Sequence, residues 1–360
     1  MRVLWLIRGL GPGGAEHLLV AQARAAGPDV TYEVVYQVAG KDHLVPALEA
    51  AGVRVRRVDS GPGWPLELRR LVRDHEIDVV HSHSPAMAAA ARVALRLVPG
   101  GRRPRLVYTE HNRWDAYRLP TRLANAITFP LEHHVVAVSE EARSSVIGPL
   151  RARVETLHHG IDREELRDAA GDRGATRRSL GIDDATPVAV QVANFRREKA
   201  HEVMIDAAAV IAERGHGAKI LMVGQGQLQE QTEELIRARG VGEVVTLLGY
   251  RDDIAAVLAA ADMLALSSDH EGLPVAVMEA LALGVPVVST AVGGMPEAIT
   301  DGVEGLLVPP RDPVALAEAI MRVADDRELR DRLAAGARAR GADFDAAKAT
   351  RRLEAIYAGD

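Results

Sequence analysis

Short aliphatic and β-branched runs alternate with longer Ala- and Leu-rich stretches of helical period along the whole chain. In the first half the apolar runs predict strands at residues 3–8, 32–38, 53–58, 79–83, 106–109 and 134–138, with helical patterns such as 15–25 and 44–51 between them. The second half repeats the scheme. Strands are predicted at 188–193, 219–223, 244–248, 263–266, 285–289 and 305–308, and helices at 200–214, 227–239, 253–260 and 275–283. Strands and helices taking turns imply parallel, doubly wound sheets. Residues 162–187 are polar, contain Gly171 and Gly174, and end in Asp183-Asp184-Ala185-Thr186-Pro187, which marks a domain boundary. The expected fold class is therefore α/β, with two Rossmann-like doubly wound parallel-sheet domains facing a cleft, the first over 1–165 and the second over 180–342. Ligands of such sheets sit at the carboxyl ends of the strands.

Composition narrows the picture. A chain of 360 residues exceeds what one core usually fills, which agrees with two domains. Aromatics are 3% of a chain that is 48% hydrophobic, so the cores must be built from Ala, Val and Leu. The net charge of −6 argues against a nucleic-acid partner. The absence of cysteine excludes disulfides and thiolate catalysis and fits a cytoplasmic protein. The N-terminal apolar run breaks at Arg8 and glycines follow, so it reads as a first strand rather than a signal peptide. No run of 18 apolar residues exists, which leaves peripheral association with the inner membrane surface open.

The chemistry-bearing residues cluster after predicted strands. Gly9-Leu10-Gly11-Pro12-Gly13-Gly14-Ala15-Glu16 follows the first. Its glycine spacing matches a dinucleotide fingerprint, but the second strand ends Val35-Tyr36-Gln37-Val38, without the acidic residue that would hold a ribose. An NAD-dependent oxidoreductase is disfavoured for that reason. Gly13 and Gly14 read instead as exposed amides at a helix start, suited to phosphate or sugar hydroxyls. His111 and Asn112 follow the strand at 106–109, and a histidine there can share a proton near neutrality. His81 and His83 share a strand face, but no third ligand is suitably spaced, so no metal is expected. His158-His159-Gly160-Ile161-Asp162 reads as a loop at the edge of the cleft.

The second half carries the stronger pattern. Ser267-Ser268-Asp269-His270-Glu271-Gly272-Leu273-Pro274 links a strand to a helix whose free first-turn amides form an anion site, and Gly272 admits a phosphate close to the backbone. Glu271 and Glu279 are expected to accept hydrogen bonds from hydroxyls, Glu279 from a ribose diol and Glu271 from a transferred sugar. Asn194-Phe195-Arg196-Arg197-Glu198-Lys199 follows the strand at 188–193, where Lys199, with Arg196 as a second cation, can meet a departing diphosphate. Tyr250 and Arg251 lie in a further loop whose backbone suits a nucleobase edge.

Together these segments resemble glycosyltransferase family 4, the retaining family with the GT-B fold. The resemblance rests on Glu271 to Glu279 with seven residues between, on Gly284-Val285-Pro286, on Val292-Gly293-Gly294-Met295-Pro296-Glu297, on Asp301-Gly302 with Gly305 to Pro310, and on Gly13-Gly14-Ala15-Glu16. It implies transfer of a hexose or N-acetylhexosamine from a UDP- or GDP-sugar, with no other cofactor and no metal, onto a sugar, lipid-linked or small-molecule acceptor. It further implies that Glu279 binds ribose and Glu271 the donor sugar. Gly272, Leu273, Pro274, Val275 and Lys199 would hold the diphosphate, and His111 would lie near the reacting sugar. The donor set is expected to include Gly14, Asn194, Arg196, Tyr250 and Arg251, and the acceptor set Gly13, Glu16, His111 and Asn112. His111, Glu271 and Lys199 are the expected catalytic residues. A helix over 343–360 should return to the first domain. Two departures stand out. Asn194 replaces an arginine of the family's Gly-Arg-Leu, and His159 replaces the asparagine of Asn-Gly-Ile-Asp. A nucleotide-sugar 2-epimerase and a non-catalytic nucleotide-sugar-binding subunit are the competing readings.

Overall fold

A computed structural model describes residues 1–97 and 103–360. The chain divides into two compact units, one of residues 1–161 with 345–360, the other of residues 162–344. The N-terminal unit carries β1 (Arg2–Ile7), β2 (Thr31–Tyr36), β3 (Arg54–Arg57), β4 (Val79–Ser82), β5 (Arg105–Glu110), β6 (His134–Ala137) and β7 (Val154–Thr156). They form one parallel sheet in the order β3-β2-β1-β4-β5-β6-β7. Parallel sheets bury both faces, so their strands are near-continuously apolar. In β1, Val3, Trp5 and Ile7 enter one core cluster, and Leu4 and Leu6 enter another on the opposite face.

The C-terminal unit carries β8 (Val188–Val192), β9 (Lys219–Val223), β10 (Val245–Gly249), β11 (Met263–Leu266), β12 (Val287–Thr290) and β13 (Gly305–Val308). Their order is β10-β9-β8-β11-β12-β13, again all parallel. The helices His201–Glu213 and Pro313–Asp325 bury Met204, Ile205, Leu316 and Ile320 with Ile220 and Met222 of the sheet. Strand order turns back on either side of β1 and of β8, which places the loops after β1, β4, β8 and β11 at the switch points where ligands of such sheets bind.

Three expectations need adjustment. The polar stretch 162–187, read as the domain boundary, is largely helical. Asp162 and Asp172 cap the helices Arg163–Ala170 and Arg173–Ser179 through their side chains, and both helices belong to the C-terminal unit. The chain therefore crosses between units at residues 161–162, earlier than a boundary of 165–180. The C-terminal segment starts with a short 3-10 turn, Gly341–Asp343, and its helix is Ala346–Ala358, capped by Asp345. That helix packs Leu353, Ile356 and Tyr357 into the N-terminal core. Last, the three-residue β7 falls where no strand was expected, because Val-Glu-Thr is too short and too polar to stand out.

Candidate functional site

In the C-terminal unit the loops after β8 and β11 are tied together. Gln191 at the buried end of β8 donates to Ser267 Oγ (3.0 Å), and Ser267 Oγ lies 3.1 Å and 3.0 Å from the carbonyls of Lys199 and Ala200. The amides of Asp269 and His270 donate to the Glu198 carbonyl (2.9 and 3.4 Å). Ala200 takes a left-handed conformation (φ +44°), which turns the chain from the 3-10 segment Arg197–Lys199 into the helix His201–Glu213. Lys199 is thereby brought against Glu271. Its Nζ donates to both carboxylate oxygens at 2.7 and 2.6 Å, and Ser268 Oγ donates to Oε1 at 2.6 Å.

The helix Val275–Leu283 begins directly after this pair. Pro274 is its N-cap rather than its first helical residue, and no side chain caps it. Val277 N bonds the Pro274 carbonyl (3.1 Å), whereas the amides of Val275 and Ala276 bond to no group of the unit. Glu279 lies one turn further along. It has no hydrogen-bonding or ionic partner, and burial alone raises its carboxyl to about 7. A desolvated carboxylate, a lysine and free helix-start amides therefore lie along one short segment, an arrangement suited to hydroxyls beside an anion.

In the N-terminal unit, four imidazoles gather at the carboxyl ends of β4 and β5. His81 is held from both sides, by Tyr357 Oη at Nδ1 (2.6 Å) and Thr109 Oγ1 at Nε2 (2.7 Å). His83 Nδ1 meets His111 Nε2 at 3.1 Å, and His159 stacks on His111 with ring centres 5.8 Å apart. The buried Nε2 atoms of His83 and His159 have no partner. Burial holds all four neutral, with His111 lowered to about 3 and His159 to about 4. The expectation that His111 shares a proton near neutrality is thus overturned; it can donate or accept a hydrogen bond but does not titrate there. His159, expected at a loop edge, is instead part of the cluster. Among the described residues no group of three His, Cys, Asp or Glu side chains could hold a metal ion.

The glycine loop ends in Gly13 as N-cap of the helix Gly14–Arg24. Glu16 folds back so that one carboxylate oxygen lies 2.3 Å from where a Cβ on Gly13 would be. Asn112 is exposed, and its amide donates to the buried Glu110 (3.3 Å).

Comparison with known proteins now bears on these two sites. Residues 172–340 match the family described as glycosyl transferases group 1, and residues 3–165 match glycosyltransferase family 4. A D-inositol 3-phosphate glycosyltransferase of Actinosynnema mirum is 32% identical over 397 aligned positions, covering 97% of this chain and 93% of the relative. The chain belongs to glycosyltransferase family 4. An alpha-D-kanosaminyltransferase of Streptomyces kanamyceticus is 28% identical over 291 positions, covering 76% of this chain and 75% of the relative. Among solved structures, Anabaena Alr3699/HepE, crystallised with UDP and glucose, superposes with a TM-score of 0.87 over the full length of both chains at 22% identity. The two units are the Rossmann-like domains of a GT-B fold.

Within this glycosyltransferase the expected donor residues are not equally placed. Lys199, Glu271, Gly272, Leu273, Pro274, Val275 and Glu279 are contiguous or directly bonded. Arg196 shares the turn that carries Lys199, its side chain exposed, and the Asn194 carbonyl accepts from His201 Nε2 (3.1 Å). Tyr250 and Arg251 are engaged within their own loop, with Asp252 (2.6 Å) and Asp253 (2.7 and 2.5 Å). Sequence reading quoted Ser267 and Ser268 without assigning them a role, and missed Gln191, Arg311, which bonds twice to Asp269 (2.9 and 2.7 Å), and the Gly224-Gln225-Gly226 turn after β9. The turn had a legible signal, two glycines after a strand. A Cβ on Gly226 would lie 2.4 Å from the Phe195 carbonyl oxygen, and Gln225 O accepts from Phe195 N (3.0 Å).

Proposed function

We propose that this glycosyltransferase moves a hexose or N-acetylhexosamine from a UDP- or GDP-sugar to an acceptor hydroxyl with retention of anomeric configuration and without a metal. The observation that carries this reading is the Lys199–Glu271 pair beside the unsatisfied amides that open the helix Val275–Leu283, with Glu279 unpartnered in the same helix. Lys199 and the amides meet the diphosphate, Glu279 accepts from the ribose diol, and Glu271 accepts from the donor sugar. Support for a nucleotide donor comes from the UDP bound to the Anabaena protein. Support for a GDP-sugar comes from a Mycobacterium tuberculosis relative named as GDP-mannose-dependent, 29% identical. The histidine cluster of the N-terminal unit would bind acceptor or sugar hydroxyls as neutral imidazoles, with Gly13 and Glu16 as further acceptor contacts and Gly14 on the donor side; the Gly13 amide itself donates to the Gly11 carbonyl (2.8 Å). In the reaction the bond from the sugar anomeric carbon to the diphosphate oxygen breaks, the acceptor oxygen bonds to that carbon on the same face, and the departing phosphate oxygen takes the acceptor proton.

A panel of nucleotide sugars, followed by release of the free nucleoside diphosphate, tests the assignment. Lys199→Ala should lower turnover of the accepted donor about a thousandfold, since one cationic contact at ~4 Å and an effective dielectric of ~20 contributes about 4 kcal/mol. A near wild-type rate would remove Lys199 from the reaction. Turnover should be unchanged by EDTA, and a chelator-sensitive rate restored by a divalent cation would overturn metal independence.

A further inference from the structure

The helices Trp64–Asp74, Pro85–Arg92 and Leu119–Thr128 of the N-terminal unit leave an apolar surface that no described part of the chain covers. Leu119, Leu123 and Ile127 are 63%, 54% and 78% exposed, and their spacing of four sets them in one stripe along the helix. Leu66 (61% exposed) and Val93 continue it across a groove of about 460 Å³ whose far wall includes Ala124 and Thr128 of the same helix. Single exposed apolar residues are ordinary, but a contiguous set of five marks an interaction surface.

The charge around this face is mainly positive. The sequence has no carboxylate between Asp78 and Glu110 and holds five arginines there, of which Arg92 is buried and paired with Glu132, and residues 116–131 add Arg118 and Arg122 with no carboxylate. Neither of those two guanidinium groups bonds to a described group of the chain. The nearest acidic side chains by sequence are Glu132, buried against Arg92, Glu67, exposed on Trp64–Asp74, and Asp74 and Asp115, which pair with Arg73 and Arg113. A second copy of the chain would set arginine against arginine across this face, whereas an anionic surface neutralises them.

We propose that this face docks on an anionic phospholipid surface. The helix Leu119–Thr128 lies in the plane of the interface, with Leu119, Leu123 and Ile127 at the acyl boundary and Arg118 and Arg122 against headgroup phosphates. Among the described residues no helix is long and apolar enough to cross a membrane, so the contact is a docking rather than a span. The proposal does not depend on which sugar is transferred.

Cosedimentation of the full chain with vesicles tests it. Vesicles of phosphatidylcholine mixed with phosphatidylglycerol should carry the protein down, vesicles of phosphatidylcholine alone should not, and added salt should release it. The double variant Leu123→Glu/Ile127→Glu should bind at least ~10-fold more weakly, since buried apolar area and anionic attraction are both lost. Arg118→Gln/Arg122→Gln should bind roughly thirtyfold more weakly. Leu123, Ile127 and Arg118 are exposed and Arg122 is half-buried, and unchanged circular dichroism and melting should show that each variant is folded. Equal binding to both vesicle types, no binding to anionic vesicles, or binding unaffected by either pair of substitutions overturns the proposal. So does a wild-type dimer that the glutamate variant turns into a monomer, because the occupant would then be a second copy.

Discussion

At the scale of single residues, sequence assigned separate partners to groups that the fold joins. Lys199 was expected at the diphosphate and Glu271 at the sugar, yet without ligand they form a bidentate ion pair shielded by Ser268. Seventy-odd residues separate them, and no local pattern reveals a contact made by two loops meeting after parallel strands. Glu279 was legible as a chemical group but not as a titrating one, because its raised pKa comes from burial that a sequence does not show. The consequence is measurable. Its folded pKa is about 7, above the ordinary carboxyl value of 4.5, so the carboxyl is already about half protonated at neutrality. A ribose diol donating to the carboxylate favours the ionised form. Affinity for an intact nucleotide sugar should then fall as pH drops below about 7, approaching tenfold per pH unit. Glu279→Gln should bind more weakly at pH 8 and show a flat profile. Calorimetric titration of both proteins across this range decides it, and a flat wild-type profile would sink the assignment of Glu279 to the ribose.

At the scale of elements, all six strands of the C-terminal unit were legible because each is a buried apolar run between polar turns. The N-terminal unit gave six of its seven strands, and β7 escaped for want of apolar length. Close backbone approach was the least legible feature. Gly226 lets the turn after β9 brace the Phe195 loop that leads to Lys199; two glycines after a strand signal a turn, but not which backbone it approaches. Gly226→Ala should force the two backbones apart, costing about 1–3 kcal/mol by denaturant unfolding and weakening nucleotide binding in a thermal-shift assay. Gly242→Ala is the control in the same unit. A Cβ there meets nothing within 4 Å, so its stability should stay within ~0.5 kcal/mol of wild type. Equal behaviour of the two variants would mean that the Gly224–Gly226 turn does not position the donor loop.

At the scale of the whole molecule, buried titratable groups are shared unequally between the two units, and acid should separate them. Among the described residues, burial lowers six histidines of the N-terminal unit: His81, His83, His111, His133, His134 and His159. It raises two carboxyls there, Glu110 to about 7 and Glu132. The C-terminal unit has one of each, His201 lowered to about 4 and Glu279 raised to about 7. A lowered histidine refuses a proton that the unfolded chain accepts at 6.5, so its contribution is complete above about pH 6.5 and is lost as pH falls toward the folded value. A raised carboxyl works the other way. The folded state holds a proton that the unfolded chain releases near 4.5, so its contribution is present below that pH and lost as pH rises through about 7. Between about pH 6.5 and 4.5 the two effects cancel in the C-terminal unit, but histidines outnumber carboxyls six to two in the other. The carboxylates lowered by partners, Asp74, Glu140 and Glu155 in one unit and Asp253 and Asp269 in the other, act below that window. Acidification should therefore unfold the N-terminal unit first. Calorimetry near pH 5 should resolve two transitions where neutral pH gives a closer pair. Hydrogen exchange should show β1 and β4 losing protection while β8 and β11 retain it. Loss of protection in both sheets at one pH would show that the units do not unfold independently, and earlier loss in the C-terminal sheet would contradict the charge argument itself.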